Sequence, residues 1–358
     1  MGKEHQVRES DREQVGFWGA VDERLGLSGL AYPVPEHANS LPYMLGGITL
    51  FGFVVLIATG VLMAQFYDPN PATAHQSVIY LITQVPFGDF LRSVHFWTAN
   101  LVMVTVILHV SRVFATASYK RPREANWLIG LGLLAVTLGF IFTGTVLKWD
   151  QEAVEALAHN IEIAELLGLW GTWFSGEFSL SVPLLTRLYI GHITVLPAIF
   201  TVLIIAHLYL IKMHGISEEA TEDATAGPPT SGGTGRFTTH LVRMTGYGLL
   251  LFVVTGFLAL LRPAPLGMEG VPGAEVTKPP WMFLPFYPLE DVAGIQGLFW
   301  GAVVLFGLLA LVPFVDRSTW RSPRRRRWVV GAGAVLLVVL IALGLFAWVN
   351  QPAEHLMG

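Results

Sequence analysis

Hydrophobic positions in this chain fall in long unbroken runs, without the strict alternation of half-buried strands. A helix rises about 1.5 Å per residue, so crossing a hydrocarbon core of roughly 30 Å takes about 20 apolar residues. Seven runs are long enough, at about 43–66, 92–114, 127–147, 186–211, 242–262, 294–315 and 328–349. They predict an all-α integral membrane protein with seven transmembrane helices.

The polar connections between runs are unequal. Residues 15–40 mix apolar and charged positions and predict a helix lying on the inner membrane surface. The 150–185 connection opens DQEAVEALAHNIEIAELLGLWG, whose periodic apolar residues predict short amphipathic helices at the interface. The 263–293 connection holds PAPLGMEGVPGAEVTKPPWMFLPFYPLED, and loops of that length are usually functional. Between the fourth and fifth runs, SEEATEDATAGPPTSGGTG is acidic and then rich in Gly, Pro, Ser and Thr, the composition of a flexible linker. The predicted organisation is therefore an arm (1–42), a four-helix domain (43–216), a linker (217–239) and a three-helix domain (240–358).

Charge sets the orientation. Lys and Arg gather in the arm, in the 115–126 loop, in the 212–241 linker and in the 316–327 loop with its run RSTWRSPRRRR. The alternate loops hold only Lys148 and Lys278. The positive-inside rule puts the N-terminus in the cytoplasm and the C-terminus outside, in a bacterial inner membrane. The basic run reads as a topology and lipid-contact signal. With basic residues placed between spans and a net charge of −4, nucleic-acid binding has no support. The chain has no cysteine, which excludes thiolate-held clusters and covalent c-type haem within it and leaves histidine as the available iron ligand.

His95 and His109 lie fourteen residues apart in the second run, and His192 and His207 fifteen apart in the fourth. Fourteen helical steps of about 100° end roughly 40° short of a full turn, which puts both rings on one face about 21 Å apart. Fifteen steps overshoot by about 60°, which slight bending or tilt absorbs. The two runs cross in the same direction. His95 would therefore face His192 near the outer surface, and His109 would face His207 nearer the inner one, as two axial pairs for haem iron. Helix–helix hydrogen bonds or a proton relay are the other uses of intramembrane histidine. The first run has Gly46 and Gly60, and the third Gly130 and Gly144, each pair again fourteen apart. Glycine lets a flat ring approach a helix backbone, though it also serves ordinary packing of membrane helices.

YMLGGITL, RSVHFW, ILHVSRVF, YKRPREANWLIG, TGTVLKWDQ and LLTRLYIGH, in that order, resemble segments of cytochrome b from the quinol:cytochrome c oxidoreductases, the bc and bf complexes. The resemblance runs from about Pro33 to the end of the seventh run. Four plus three spans and the wider second histidine pair resemble the bf arrangement of cytochrome b plus subunit IV, here joined by the linker.

The resemblance implies quinol oxidation near the outer surface. One electron passes to a Rieske iron–sulfur protein and on to a c-type cytochrome. The other passes through two non-covalent b haems to an inner quinone site, with proton translocation, in a homodimeric complex. It implies His95 and His192 for the low-potential haem and His109 and His207 for the high-potential one. Arg92 and Arg187 would meet the outer haem's propionates and Arg112 the inner haem's. The outer quinol site would draw on Gly144, Trp149 and Asp150 and on the loop with Pro280, Trp281 and Tyr287. Lys212, His214, His240 and Arg243 would serve the inner site.

The sequence departs from the family at three places. The usual Pro-Glu-Trp-Tyr motif is replaced by Pro279, Pro280, Trp281 and Met282, so the proton acceptor must be another group. Glu290 or Asp150 is the choice, with Asp291 and Tyr287 nearby. This loss points to a different quinone such as menaquinone, or to altered proton routing with the same one. Met44 stands where bf-type chains carry the cysteine of an extra haem, so two haems and no covalent third are expected. Lys148 replaces a common proline, with no role evident. Two readings compete: a di-haem membrane anchor of another quinone-linked dehydrogenase or reductase, and a transporter with intramembrane histidines.

Overall fold

The computed structural model describes residues 17–26, 33–227, 235–274 and 276–350. Within them seven helices are long and apolar enough to cross a membrane: Leu41–Met63, Gly88–Ala115, Glu124–Val146, Leu184–His214, Phe237–Leu261, Ile295–Val315 and Arg327–Val349. Each overlaps one predicted run. Pro42 sits in the first turn of the first span, where a missing N–H costs nothing. Gly294, at φ +61, turns the short Tyr287–Ala293 helix into the sixth span.

The first span packs on the second, and the fifth packs on both; the third pairs with the fourth and touches the sixth. The sixth and seventh spans bury no residue fully, which suits helices with broad lipid-facing surfaces. A helix is present in the arm at Phe17–Leu25, and the amphipathic helix of the first long loop at Gln151–Leu166. Further along the predicted 15–40 segment the chain is not α-helical: Pro33–Val34 is a strand and Glu36–Asn39 a single 3-10 turn. Residues 15–16 and 27–32 lie outside the described residues, as does the Gly/Pro-rich middle of the linker. A helix at Ala74–Thr83, between the first two spans, went unpredicted.

The fourth span is not uniform. Its turn at Gly191–Val195 is a π-turn, flanked by α-helix at Leu184–Ile190 and Leu196–His214. A π-turn takes one extra residue into the helix. The fifteen-residue spacing was expected to be absorbed by bending; a local one-residue insertion beginning beside His192 absorbs it instead.

Two corrections concern the end with the basic loops. The described parts of the linker are tied down: Gly235–Arg236 pairs with Pro33–Val34 of the arm, and Ala226 N donates to Thr319 O. The basic run is only partly a lipid-contact signal. Arg321 and Arg326 are buried. Arg326 Nε donates to Asp316 Oδ2 at 2.6 Å, while Arg325 pairs with Asp223 at 3.0 Å and covers Trp320. Asp316 also accepts from Lys120 Nζ at 2.9 Å, Tyr119 Oη at 2.7 Å and Ser318 Oγ at 2.9 Å. Burial would raise the Asp316 carboxyl, but the Lys120, Tyr119 and Ser318 hydrogen bonds and the Arg326 charge hold it at about 2. Buried charges need such partners, and this set joins the 115–126 loop to the 316–327 loop.

Candidate functional site

The four span histidines are each seated against one of the four predicted glycines. A Cβ added at Gly46 would lie 3.0 Å from His109 Cε1, and one at Gly144 3.2 Å from His192 Cε1. At Gly60 and Gly130 the distances to His95 and His207 Cε1 are both 3.5 Å.

At the end carrying the long loops, threonine fixes the ring tautomer. Thr59 Oγ1 lies 2.8 Å from Val55 O and 2.8 Å from His95 Nδ1. A carbonyl only accepts, so the single hydroxyl hydrogen goes to Val55 and the hydroxyl accepts from Nδ1–H. Thr143 does the same for His192, at 2.7 Å from Gly139 O and 2.8 Å from His192 Nδ1. Nε2 is left bare in both rings, as an iron ligand requires. Among the described residues no hydroxyl partners the Nδ1 of His109 or His207, and His109 Nδ1 is buried with no hydrogen-bond partner. Paired bare imidazoles backed by glycine fit a planar haem.

The two long loops are stitched together along one helix. Gln151, Glu155 and His159 sit at i, i+4 and i+8 of the Gln151–Leu166 helix and face the 263–293 loop. Gln151 Oε1 accepts from Val271 N at 2.7 Å, and the buried Glu155 carboxylate accepts from Val276 N at 2.9 Å and Thr277 N at 3.0 Å. His159 Nε2 lies 3.1 Å from Glu290 Oε1, off the ring N–H axis, and its ring stacks on Tyr287 at 5.8 Å.

The carboxylate candidates now separate. Asp150 is the N-cap of that helix: Oδ1 accepts from Ala153 N at 3.1 Å and Oδ2 from Gly267 N at 3.0 Å. Lys148 completes the cap, 3.3 Å from Asp150 Oδ2 and paired with Glu152, which accounts for that cation. Glu290 is 1% exposed and its Oε2 has no hydrogen-bond partner among the described residues. Trp281 Nε1 donates to Asn100 Oδ1 at 2.8 Å, which docks the loop on the second span, and Pro280 O closes the turn by accepting from Phe283 N at 2.9 Å.

The chain is similar to known proteins along most of its length. A family model described as cytochrome b/b6/petB matches residues 30–215, and one described as cytochrome b (C-terminal)/b6/petD matches 273–357. The cytochrome bc complex cytochrome b subunit of Chlorobaculum thiosulfatiphilum is 32% identical over 86% of this chain and 74% of its own. The chain belongs to the cytochrome b family. Cytochrome b6 of Heliobacterium mobile is 38% identical over 55% of this chain and 98% of its own. The menaquinol:cytochrome c reductase cytochrome b subunit of Bacillus subtilis is 37% identical over 55% of this chain and 95% of its own. A solved hyperthermophilic respiratory complex III chain superposes with a TM-score of 0.75 at 25% identity, covering 94% of this chain and 92% of that one.

As a cytochrome b of a bc-type complex, this chain is an integral-membrane electron-transfer subunit, with the b6-like and subunit-IV-like segments fused. The family brings b-type haem and quinol chemistry with it. The propionate candidates also hold loops. Arg92 donates to Ala264 O and Pro265 O at 2.8 and 2.5 Å, and Arg187 to Trp173 O and Ser175 O, both at 2.6 Å. A guanidinium has five donors, so each keeps others for a carboxylate. Arg112 covers the Tyr43 ring at 4.7 Å and reaches Pro42 O at 3.2 Å.

The four candidates at the basic end sit on different elements. His240 is buried and stacked on Phe237, and Arg243 reaches Asn39 O at 3.2 Å, both beside the arm. His214 ends the fourth span, where its carbonyl accepts from Arg123 at 2.9 Å, and Lys212 on the same turn is exposed. Met44, expected to mark the missing tether, is fully buried in an apolar cluster with Ile48 and Leu251. Sequence reasoning missed His159, Thr59 and Thr143. The i, i+4, i+8 spacing of Gln151, Glu155 and His159 was the available signal for the first.

Proposed function

We propose that this subunit oxidises quinol at the long-loop end, on the outer side, and delivers electrons across the membrane to a quinone site at the basic-loop end. His95 and His192 would hold one b haem, and His109 and His207 the other. Bound haem supplies a one-electron iron couple at each depth. The chain's contribution is to fix the rings: glycines admit them, and threonines keep Nε2 bare in the pair near the long loops. The observation that carries the reading is this four-fold seating of histidine on glycine at two matched depths.

Menaquinol is the proposed substrate, supported by the Bacillus subtilis relative's name and by the absent motif carboxylate. The proposed partners are a Rieske iron–sulfur protein and a c-type cytochrome in a homodimeric complex, with protons released on the outer side. With no cysteine to tether a third haem, two per chain are expected.

The test is haem content and quinol reduction of the purified complex. Two haems per chain, both reduced by menaquinol and slowed by an inhibitor of the outer site, support the reading. His95→Leu should leave one haem per chain, and so should His109→Leu. A protein without b-type absorption would overturn it.

A further inference from the structure

Quinol oxidation breaks two O–H bonds, and each proton needs a base within hydrogen-bond reach. We infer that the buried His159–Glu290 pair is the proton acceptor of the quinol-oxidising site, with Glu290 Oε2 as the atom that takes the proton. This rests on the reading of quinol oxidation at the long-loop end.

Three features of the pair carry the inference. First, an imidazole stands beside the carboxylate as a proton carrier. His159 Nδ1 lies 2.8 Å from the Glu155 carbonyl, which only accepts, so Nδ1 carries a hydrogen. That leaves Nε2 as the atom nearest Glu290 Oε1, 3.1 Å away and off the ring N–H axis. A small rotation of the ring would bring the two into line, so a proton can pass between them. Second, the other carboxylate oxygen is buried and has no donor among the described residues. Structural carboxylates are normally saturated, and an unused acceptor of this kind marks a place for a further donor. Third, the alternative acceptor is committed, because both oxygens of Asp150 already accept backbone N–H groups.

Glu290 belongs to the short helix that follows the Trp281 loop, and that helix has an apolar side. Phe286 and Leu289, with Pro285 just before it, line a cleft of about 150 Å³ against Gly301, Val304 and Leu340 of the sixth and seventh spans. An isoprenoid tail is the kind of group such an apolar cleft takes.

The step balances as follows. The quinol O–H bond breaks heterolytically and its proton forms a bond to Glu290 Oε2. That proton then passes through His159 Nε2 to the aqueous face. The electrons left on the quinol depart one at a time to the one-electron acceptors of the complex. The other titratable groups around the pair are Glu155 and Glu162 on the histidine's own helix and Tyr287 and Asp291 beside Glu290. Lys278, on the preceding loop, is turned to the Trp348 carbonyl.

The experiment compares Glu290→Gln, His159→Gln and the parent complex for menaquinol:acceptor turnover between pH 5 and 9, with dithionite-reduced spectra as the control for assembly. Glutamine keeps the shape and cannot hold the proton. Glu290→Gln should lower kcat on the order of a hundredfold, with KM within about twofold, the range for loss of a general base. His159→Gln should lower kcat about tenfold and shift the pH profile, since a lone carboxylate then does the work. Infrared difference spectra during turnover should show a carboxylic-acid carbonyl band that is absent in Glu290→Gln. Variants that assemble both haems and keep the parental kcat and pH profile would overturn the inference alone. Should either variant fail to assemble, the infrared band of the parent decides: its absence during turnover also overturns it. A parent complex that menaquinol cannot reduce would overturn the wider reading as well.

Discussion

Asp316 and Glu290 are both buried carboxylates outside the spans, at opposite ends of the molecule, and they are used in opposite ways. Asp316 has donors on both oxygens, from Lys120 and Ser318 on one and from Tyr119 and Arg326 on the other. Glu290 has one imidazole on one oxygen and no partner on the other among the described residues. A saturated network rigidifies the loops it joins, whereas an unsaturated one leaves a site where a proton or ligand can arrive. The difference lies in how many donors converge, since each of these residues is only an acidic side chain beside a span in the sequence.

The largest effect expected on this contrast is that of Asp316→Asn. It leaves Lys120 and Arg326 buried without a counter-charge and should cost about 3–5 kcal/mol, measured by thermal or denaturant unfolding of the complex. A loss under about 1 kcal/mol would show that the network is not a lock. The pH dependence has a definite sign. A carboxyl held at about 2 in the folded chain, against about 3.9 unfolded, stabilises fully above the unfolded value. That contribution is lost as the pH falls from about 4 toward 2, so the gap in stability between the parent and Asp316→Asn should narrow there.

A smaller effect separates the two histidine pairs. Thr59→Val with Thr143→Val removes the acceptors of the His95 and His192 Nδ1–H groups, which weakens donation from these rings to iron. The midpoint potential of that haem should rise on the order of 50 mV, since about 59 mV corresponds to tenfold for one electron. The haem of His109 and His207 should not move, because its rings have no such partner among the described residues. A redox titration of the b bands checks this, and equal shifts in both haems would refute it.

Asp150→Asn comes next. The amide keeps one acceptor but loses the charge that holds Lys148 and the helix start, at a cost of about 1 kcal/mol in unfolding. Smallest is the glycine contrast. Gly46→Ala crowds His109 Cε1 at 3.0 Å and should perturb its haem spectrum, while Gly60→Ala, at an ordinary 3.5 Å from His95, should perturb its own haem less. The reverse order would show that the rings are not seated on these glycines.

Much of the architecture was legible because it is local. Span length and the rotation of His95 relative to His109 follow from helical rise and twist alone, and the glycine repeat on neighbouring spans pointed to the same rings. The stitch between the long loops was not legible, because Glu155 and Thr277 are 122 residues apart and only packing brings them together. Lys212, His214, His240 and Arg243 are grouped by depth alone, two on the fourth span and two on the fifth. The basic run misled for a related reason. Arg326 looks like its neighbours in sequence, but its fully buried partner Tyr119 lies in another loop.

The π-turn at Gly191–Val195 also has a meaning for length. It stores one surplus residue in the fourth span, directly after His192. Deleting Ile193 or Thr194 would let the helix heal into a continuous α form with both histidines still on one face, now at the spacing of the second span. A transmembrane helix seldom tolerates a one-residue deletion, because everything beyond it rotates by about 100°. Here the slack is built in, so the fourth span should accept a shortening that the second, without a π-turn, would not.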